Sequence, residues 1–287
     1  MSRAKFSGDT ANQPEALLEV KNLCVEYRGV RAVDGVSFAV SPGEIFGIAG
    51  ASGSGKSTIG KTILGLVPPT SKNSVFFNGR ELCIRKNRSP ERENVQMIFQ
   101  NVHSSLNPKK RVLDIIAEPL RNFQKNSPAE EYAKVCELLA IVGLSQRDAQ
   151  KFPHEFSGGQ RQRIGIARAT ALRPRLIVAD EPVSALDLSV RAQVLNYMKV
   201  IRDEFGTAFL FISHDLGVMR HMCENLAIMH NGRFVETGSR DEIFNTPRHI
   251  YTRRLIAATP DPNPDNRDIN AERRRIIEKE WENENDS

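Results

Sequence analysis

Gly50-Ala51-Ser52-Gly53-Ser54-Gly55-Lys56-Ser57 closes the short apolar run EIFGIAG (44–50) and opens a stretch from Ser57 to Leu66 in which Ile59, Ile63 and Leu66 recur at helical spacing. The pattern predicts strand, loop, helix, and the loop meets G-x-x-x-x-G-K-[ST] at every fixed position. Such a loop binds phosphate. Its glycines let the backbone curl until several N–H groups converge on phosphate oxygens, and the helix starting near Lys56 offers a positive N-terminus. Lys56 reaches the β and γ phosphates, and Ser57 carries a hydroxyl suited to Mg²⁺. A glycine-rich turn before a helix is the competing reading, and the full set of fixed positions in the right flanking elements outweighs it.

Further along, RLIVA (175–179) and AFLFI (208–212) read as strands flanking a helix from about Ser189 to Phe205, a βαβ unit that requires a parallel sheet. Ligands on such sheets sit at the carboxyl ends of the strands. The first of these strands ends in Asp180-Glu181, so Asp180 can hold Mg²⁺ and Glu181 can polarise an attacking water. Two acids after a strand would by themselves suggest a solvated turn or a helix cap; beside a phosphate loop the functional reading prevails. His214 follows AFLFIS and Gln100 follows VQMIF, which places both on the same edge, although a lone histidine or glutamine at a strand end is more often structural. Ser157-Gly158-Gly159-Gln160 opens another helix with a natural cap and exposed N–H groups, a second candidate anion site. One nucleotide cannot easily use both sites in one chain, which points to an assembly.

Towards the N-terminus, residues 17–27 and 36–40 alternate apolar and polar around Asp34-Gly35, which predicts two strands joined by a turn there, and SVFFNG (74–79) adds another. The interval 101–155 is polar and helical, including a helix from about Pro128 to Val142. Asn231-Gly232 between two alternating runs predicts a tight hairpin. After Ile256, TPDPNPDN reads as a linker and 270–282 as a charged helix whose Ile276, Ile277 and Trp281 form a small apolar face, expected to dock on this chain or a neighbour, with a solvated helix as the alternative.

Composition sets the outer limits. With 287 residues, 40% hydrophobic and 26% charged, the chain can bury a real core. No run approaches the ~18–20 apolar residues that cross a bilayer, and residues 1–16 contain no apolar signal core, so a cytoplasmic location is expected. Cys24, Cys83, Cys136 and Cys223 are too far apart for a zinc site or a disulfide framework. Residues 259–287 hold five basic and nine acidic side chains, leaving a net +9 on residues 1–258, a charge suited to a polyanionic ligand.

On these residues, in this order, the chain resembles the ATP-binding subunit of an ABC transporter. The resemblance implies that Tyr27 stacks on adenine and that Gly50 to Ser57, with Thr58, is the Walker A loop. Gln100 would lie in the Q-loop and join Ser57 and Asp180 around Mg²⁺. Ser157 to Arg161 matches the signature that completes the ATP site of a partner chain, Ser184-Ala185-Leu186-Asp187 the D-loop, and His214 the switch histidine; Glu181, His214 and Gln100 would form the catalytic set. The implied fold is a P-loop α/β core over residues 17–258. It would include an antiparallel β subdomain (17 to about 40, with 74–80) and a helical subdomain (about 101–172), flanked by a flexible N-terminus (1–16) and a C-terminal extension (259–287).

VQMIFQ with SSLNP, DEPVSALDLSVRAQVLN, and TPRHIYTRRLIAA resemble one subfamily, the oligopeptide/dipeptide/nickel importer ATPases. That implies ATP and Mg²⁺ as ligands, a peripheral place on the cytoplasmic face of the membrane, and several partners. These are two membrane permeases, a second, homologous ATPase chain that forms a heterodimer with this one, and an external solute-binding protein, with no nucleic acid. Peptide is the expected cargo, with nickel or a metal chelate as the alternative; a soluble ABC protein acting on RNA or ribosomes is the competitor from another class. The sequence departs from the subfamily at Asn101-Val102-His103 and at Lys109-Lys110-Arg111, where the membrane partner is expected. No cysteine follows Cys223, so no iron–sulfur cluster is expected.

Overall fold

The computed structural model describes residues 16–82, 91–100, 105–259 and 275–281. Residues 1–15, Cys83, Asn101-Val102-His103 and the linker from 260 onward therefore lie outside the described residues. The strands are β1 (Leu18–Tyr27), β2 (Val30–Val40), β3 (Ile45–Ala49), β4 (Val75–Phe77), β5 (Arg80–Glu81), β6 (Val95–Ile98), β7 (Leu176–Asp180), β8 (Ala208–Ser213), β9 (Asn225–His230) and β10 (Arg233–Ser239). They form a four-stranded sheet in the order β2-β1-β4-β5 and a six-stranded sheet in the order β10-β9-β3-β8-β7-β6. The small sheet is antiparallel throughout. In the large one β9, β3, β8, β7 and β6 run parallel and only β10 is antiparallel.

Every residue of β3, β7 and β8 is buried, as expected of parallel strands covered on both faces. Successive side chains point to opposite faces, and the cores divide accordingly. Phe209 and Phe211 of β8, with Ile177 and Ala179 of β7, belong to one buried core that extends through helices Val112–Phe123, Pro128–Ile141 and Gly158–Thr170. Leu210 and Ile212, with Leu176 and Val178, pack against helix Lys56–Ile63 and the inner face of the small sheet. Hydroxyl caps begin two of these helices: Ser127 and Ser157 each accept from the N–H three residues on and complete capping boxes with Glu130 and Gln160.

The first hairpin differs from the sequence expectation. The turn falls at Arg28-Gly29, where both residues have positive φ (48° and 84°), the geometry that matches strand twist. Asp34-Gly35 instead lies within β2 as an irregularity, where the register passes from Leu23↔Val36 to Val25↔Val33. Tertiary contacts hold it there. The Asp34 carboxylate accepts from Arg31 (2.9 Å) and Arg233 (2.7 Å), and its N–H donates to the Gly232 carbonyl (2.8 Å). At the other hairpin, β9 and β10 pair from His230↔Arg233 across Asn231-Gly232, both at positive φ, as the sequence predicts.

Helix Lys56–Ile63 lies very close to the sheet. A Cβ at Gly60 would come within 2.9 Å of Val178 Cγ1 and 3.0 Å of Ile212 Cδ1, both on stiff, buried strand residues. Gly60→Val is expected to lower the free energy of unfolding by about 1–3 kcal/mol through overpacking. Denaturant titration of the purified variant checks this.

Candidate active site

Adjacent strands of a sheet lie ~4.8 Å apart, so consecutive strands deliver their carboxyl-end residues as neighbours. Here β6, β7, β8 and β3 are consecutive. Gln100 lies two residues past β6, Glu181 directly follows β7, His214 directly follows β8, and the phosphate loop follows β3.

The loop can form only because two of its residues lack side chains. A Cβ at Gly50 (φ 154°) would sit 2.2 Å from the Met229 carbonyl oxygen, and one at Gly55 (φ 109°) 2.2 Å from that of Ala32. Gly232 N–H donates to Ser54 O (3.0 Å) and ties the loop to the hairpin. Ser52 and Gly53 are exposed at the crest, while Ser54 and Lys56 are buried. Gly55, at the N-cap of helix Lys56–Ile63, makes no side-chain cap bond, so the first-turn N–H groups have no capping side chain there; Thr58 N–H donates to Gly55 O (3.0 Å). The Lys56 ammonium donates to Gly50 O (2.9 Å) and Ala51 O (2.7 Å), with a longer contact to Ser54 Oγ (3.4 Å). Burial lowers its pKa, against the opposing pull of Glu181 and Asp180.

The acids occupy two different environments. Asp180 is 4% exposed and accepts from the Ser57 hydroxyl at 2.8 Å. Desolvation raises its pKa despite the Ser57 bond and the nearby Lys61 and Lys56. Glu181 adopts φ 47°, a region that costs an ordinary residue about 1 kcal/mol or more, and its N–H donates to Ile212 O (2.8 Å). This turn aims its carboxylate at the strand ends. Gln100 Nε2 donates to Oε2 (2.9 Å), and His214 Nδ1 lies 2.9 Å from Oε1. The geometry thus joins Ser57 to Asp180 and joins Gln100, Glu181 and His214 to one another.

The remaining sequence-predicted residues stand apart from these two clusters. Ser157 and Gln160 bond each other, with Ser157 and Gly158 exposed and Gly159 buried against Val190. Asp187 is exposed at the start of helix Leu188–Phe205 and makes no side-chain cap bond. Tyr27 ends β1 and is 43% exposed. Two residues escaped the sequence reading. Arg191 bridges Asp215 Oδ2 (2.6 Å), beside His214, to the Leu186 carbonyl (3.4 Å), beside Asp187. The Tyr251 hydroxyl accepts from Ala51 N–H (3.2 Å) across 200 positions of sequence; its segment, TPRHIYTRRLIAA, carried the resemblance without pointing to this contact.

A phosphate loop opposite a buried carboxylate, at the carboxyl edge of a parallel sheet, defines a P-loop nucleoside triphosphatase. The ABC transporter family model matches residues 33–184, and that of the oligopeptide/dipeptide transporter C-terminal region matches 235–283. The chain belongs to the ABC transporter family, as a nucleotide-binding ATPase whose hydrolysis is coupled to transport. It is 55% identical over 255 residues to the oligopeptide transport ATP-binding protein OppF of Lactococcus lactis subsp. lactis, covering 88% of this chain and 80% of that protein. It is 44% identical over 249 residues to the dipeptide transport ATP-binding protein DppF of Escherichia coli K12, covering 86% and 74%. Among solved structures it is similar to cbiO1 from Clostridium perfringens, part of the cbiONQ ABC transporter complex (TM-score 0.72, 25% identity, 84% of this chain and 95% of that one). It is also similar to the dimeric post-hydrolysis state of an ATP-binding cassette bound to ADP and Pi (TM-score 0.68, 28% identity, 78% and 98%).

The raised pKa of Asp180 has a consequence for stability. The folded chain takes up this proton more readily than the unfolded chain, so the charged carboxylate costs stability above its folded pKa, and the cost fades as pH falls through that value. Asp180→Asn keeps an acceptor for Ser57 and removes the charge. The nucleotide-free variant is expected to melt above the parent at neutral pH, with the gap closing in acid; thermal melting across a pH series checks both.

Proposed function

We propose that this chain is the ATP-hydrolysing subunit of a peptide importer, bound to the cytoplasmic face of a membrane and acting through separate permeases. The observation that carries the hydrolytic mechanism is the carboxylate of Glu181 held between Gln100 and His214 at 2.9 Å on each side, one residue from the Ser57–Asp180 pair. Among the described residues no helix is long and apolar enough to cross a membrane, which suits a subunit that relies on others for the pore. The names of the similar peptide-transport proteins and the match over 235–283 support peptide as cargo.

Loop N–H groups and Lys56 neutralise the phosphates while Tyr27 packs on the base. The Ser57 hydroxyl and the Asp180 carboxylate, 2.8 Å apart, are hard oxygen donors suited to Mg²⁺, with Gln100 nearby as a further oxygen. Bound there, the ion would neutralise phosphate charge. Glu181 takes the proton of the attacking water, and His214 orients Glu181 through its Nδ1 contact. Ser157 to Gln160 and Asp187 belong to the site of a second ATPase chain, which explains why the fold leaves Ser157, Gly158 and Asp187 exposed. A cleft of about 770 Å³ lined by Lys61, Leu64, Leu66, Arg92, Phe99, Pro119 and Phe123 receives a permease segment. A second permease, a distinct second ATPase and an external solute-binding protein complete the assembly, which uses neither nucleic acid nor an iron–sulfur cluster.

Glu181→Gln keeps size and hydrogen bonding but loses the charge that polarises water. It is expected to retain MgATP and to lower turnover by about a hundredfold or more, measured in the reconstituted transporter with the partner ATPase inactivated. Lys56→Ala is expected to lose ATP binding with the fold intact; normal turnover at Glu181→Gln would overturn the assignment of the base. Ser157→Arg is expected to stop hydrolysis at the partner's site while this chain still binds ATP. Peptide-stimulated ATPase and uptake of labelled peptide into proteoliposomes test the cargo, and stimulation by nickel chelates alone would reassign it.

A further inference from the structure

The helical residues 275–281 dock on this chain. Ile277 is 6% exposed, Arg254 grips Glu278 with two bonds (2.9 and 2.7 Å), and Arg253 bonds Glu280 (2.9 Å). The Arg254 guanidinium lies 5.1 Å from the Trp281 ring centre. Trp281 lies 5.7 Å from both the Tyr251 and the His230 rings, and those two rings are 4.0 Å apart. Tyr251, 4% exposed, is thereby held in an aromatic cluster with its hydroxyl directed at Ala51 N–H.

That N–H belongs to the same rigid peptide unit as the Gly50 carbonyl, which accepts from Lys56 at 2.9 Å. The unit is clamped at both ends: its N–H by Tyr251, its carbonyl by the ammonium. Rotating it would withdraw one of the two carbonyls that aim Lys56. An ammonium has three donors; the carbonyls of Gly50 and Ala51 occupy two, and the contact with Ser54 at 3.4 Å is the weakest to exchange for a phosphate oxygen.

We propose that Tyr251 is a positioning residue for the phosphate loop, and that the C-terminal helix is a brace that holds Tyr251 in place and so sets the affinity for ATP. The inference rests on the loop being the ATP site. Its action is on binding rather than on chemistry, because Tyr251 touches neither Glu181 nor His214 among its described contacts.

Tyr251→Phe retains the ring and deletes the hydroxyl. In the full-length chain it is expected to weaken MgATP binding about three- to tenfold, the range for one lost hydrogen bond, with the melting temperature within about 2 °C of the parent. In the reconstituted transporter the KM for ATP should rise by the same factor at unchanged kcat. Trp281→Ala should move affinity in the same direction, and Trp281→Phe, which keeps a ring, should recover most of it. Lys56→Ala serves as the reference. Loss of binding in Lys56→Ala with parental affinity in Tyr251→Phe would leave the phosphate site standing and overturn the positioning role; parental affinity in both would instead remove the site itself. A Trp281→Ala chain that binds ATP as the parent does would overturn the brace.

Discussion

A buried ammonium and a buried carboxylate at one sheet edge are the constraint around which the rest of the molecule is arranged. Lys56 and Asp180 are each 4% exposed, and burying either alone in low dielectric would be costly. Lys56 is made tolerable by backbone carbonyls and Asp180 by a serine hydroxyl. These partners are available only if β3 and β7 end at the same level with β8 between them, and if the helix carrying Ser57 lies flat on the sheet, which Gly60 permits. Sheet order, helix contact and loop curvature are thus joint requirements of two charges held out of water.

The fold is organised to keep that edge dry from behind and open in front. β7 and β8 contribute side chains of one parity to the helical core and of the other to the core under the small sheet, so neither face can shift without repacking both. Glu181 and His214 stand at the margin, where His214 retains 53% of its side-chain exposure. Reactants can reach the margin while the buried pair behind it keeps its electrostatic strength.

Much of this was legible in the sequence because it is local. The phosphate loop, the acids after RLIVA, the Asn231-Gly232 hairpin and the Ser157 cap are each specified within a dozen residues by backbone geometry or hydrogen bonding. The first hairpin misled because Asp34-Gly35 has turn chemistry, yet Arg31, Arg233 and Gly232 hold it within a strand; only tertiary contacts decide between the two. The positive φ of Glu181 is likewise hidden, since nothing in its neighbours announces it. Tyr251 and Arg191 act across the fold, on Ala51 and between Leu186 and Asp215, and no spacing rule reaches such pairs.

Gly232 donates its N–H to Ser54 and accepts through its carbonyl from Asp34. A single residue therefore rivets the phosphate loop to the small sheet as well as to the large one. The small sheet carries Tyr27 at the end of β1, so the span from that ring to the loop is set by hydrogen-bonded backbone rather than by a hinge. On the reading proposed above, a ligand with its base on Tyr27 and its phosphates in the loop would have to match that span between its flat end and its anionic end.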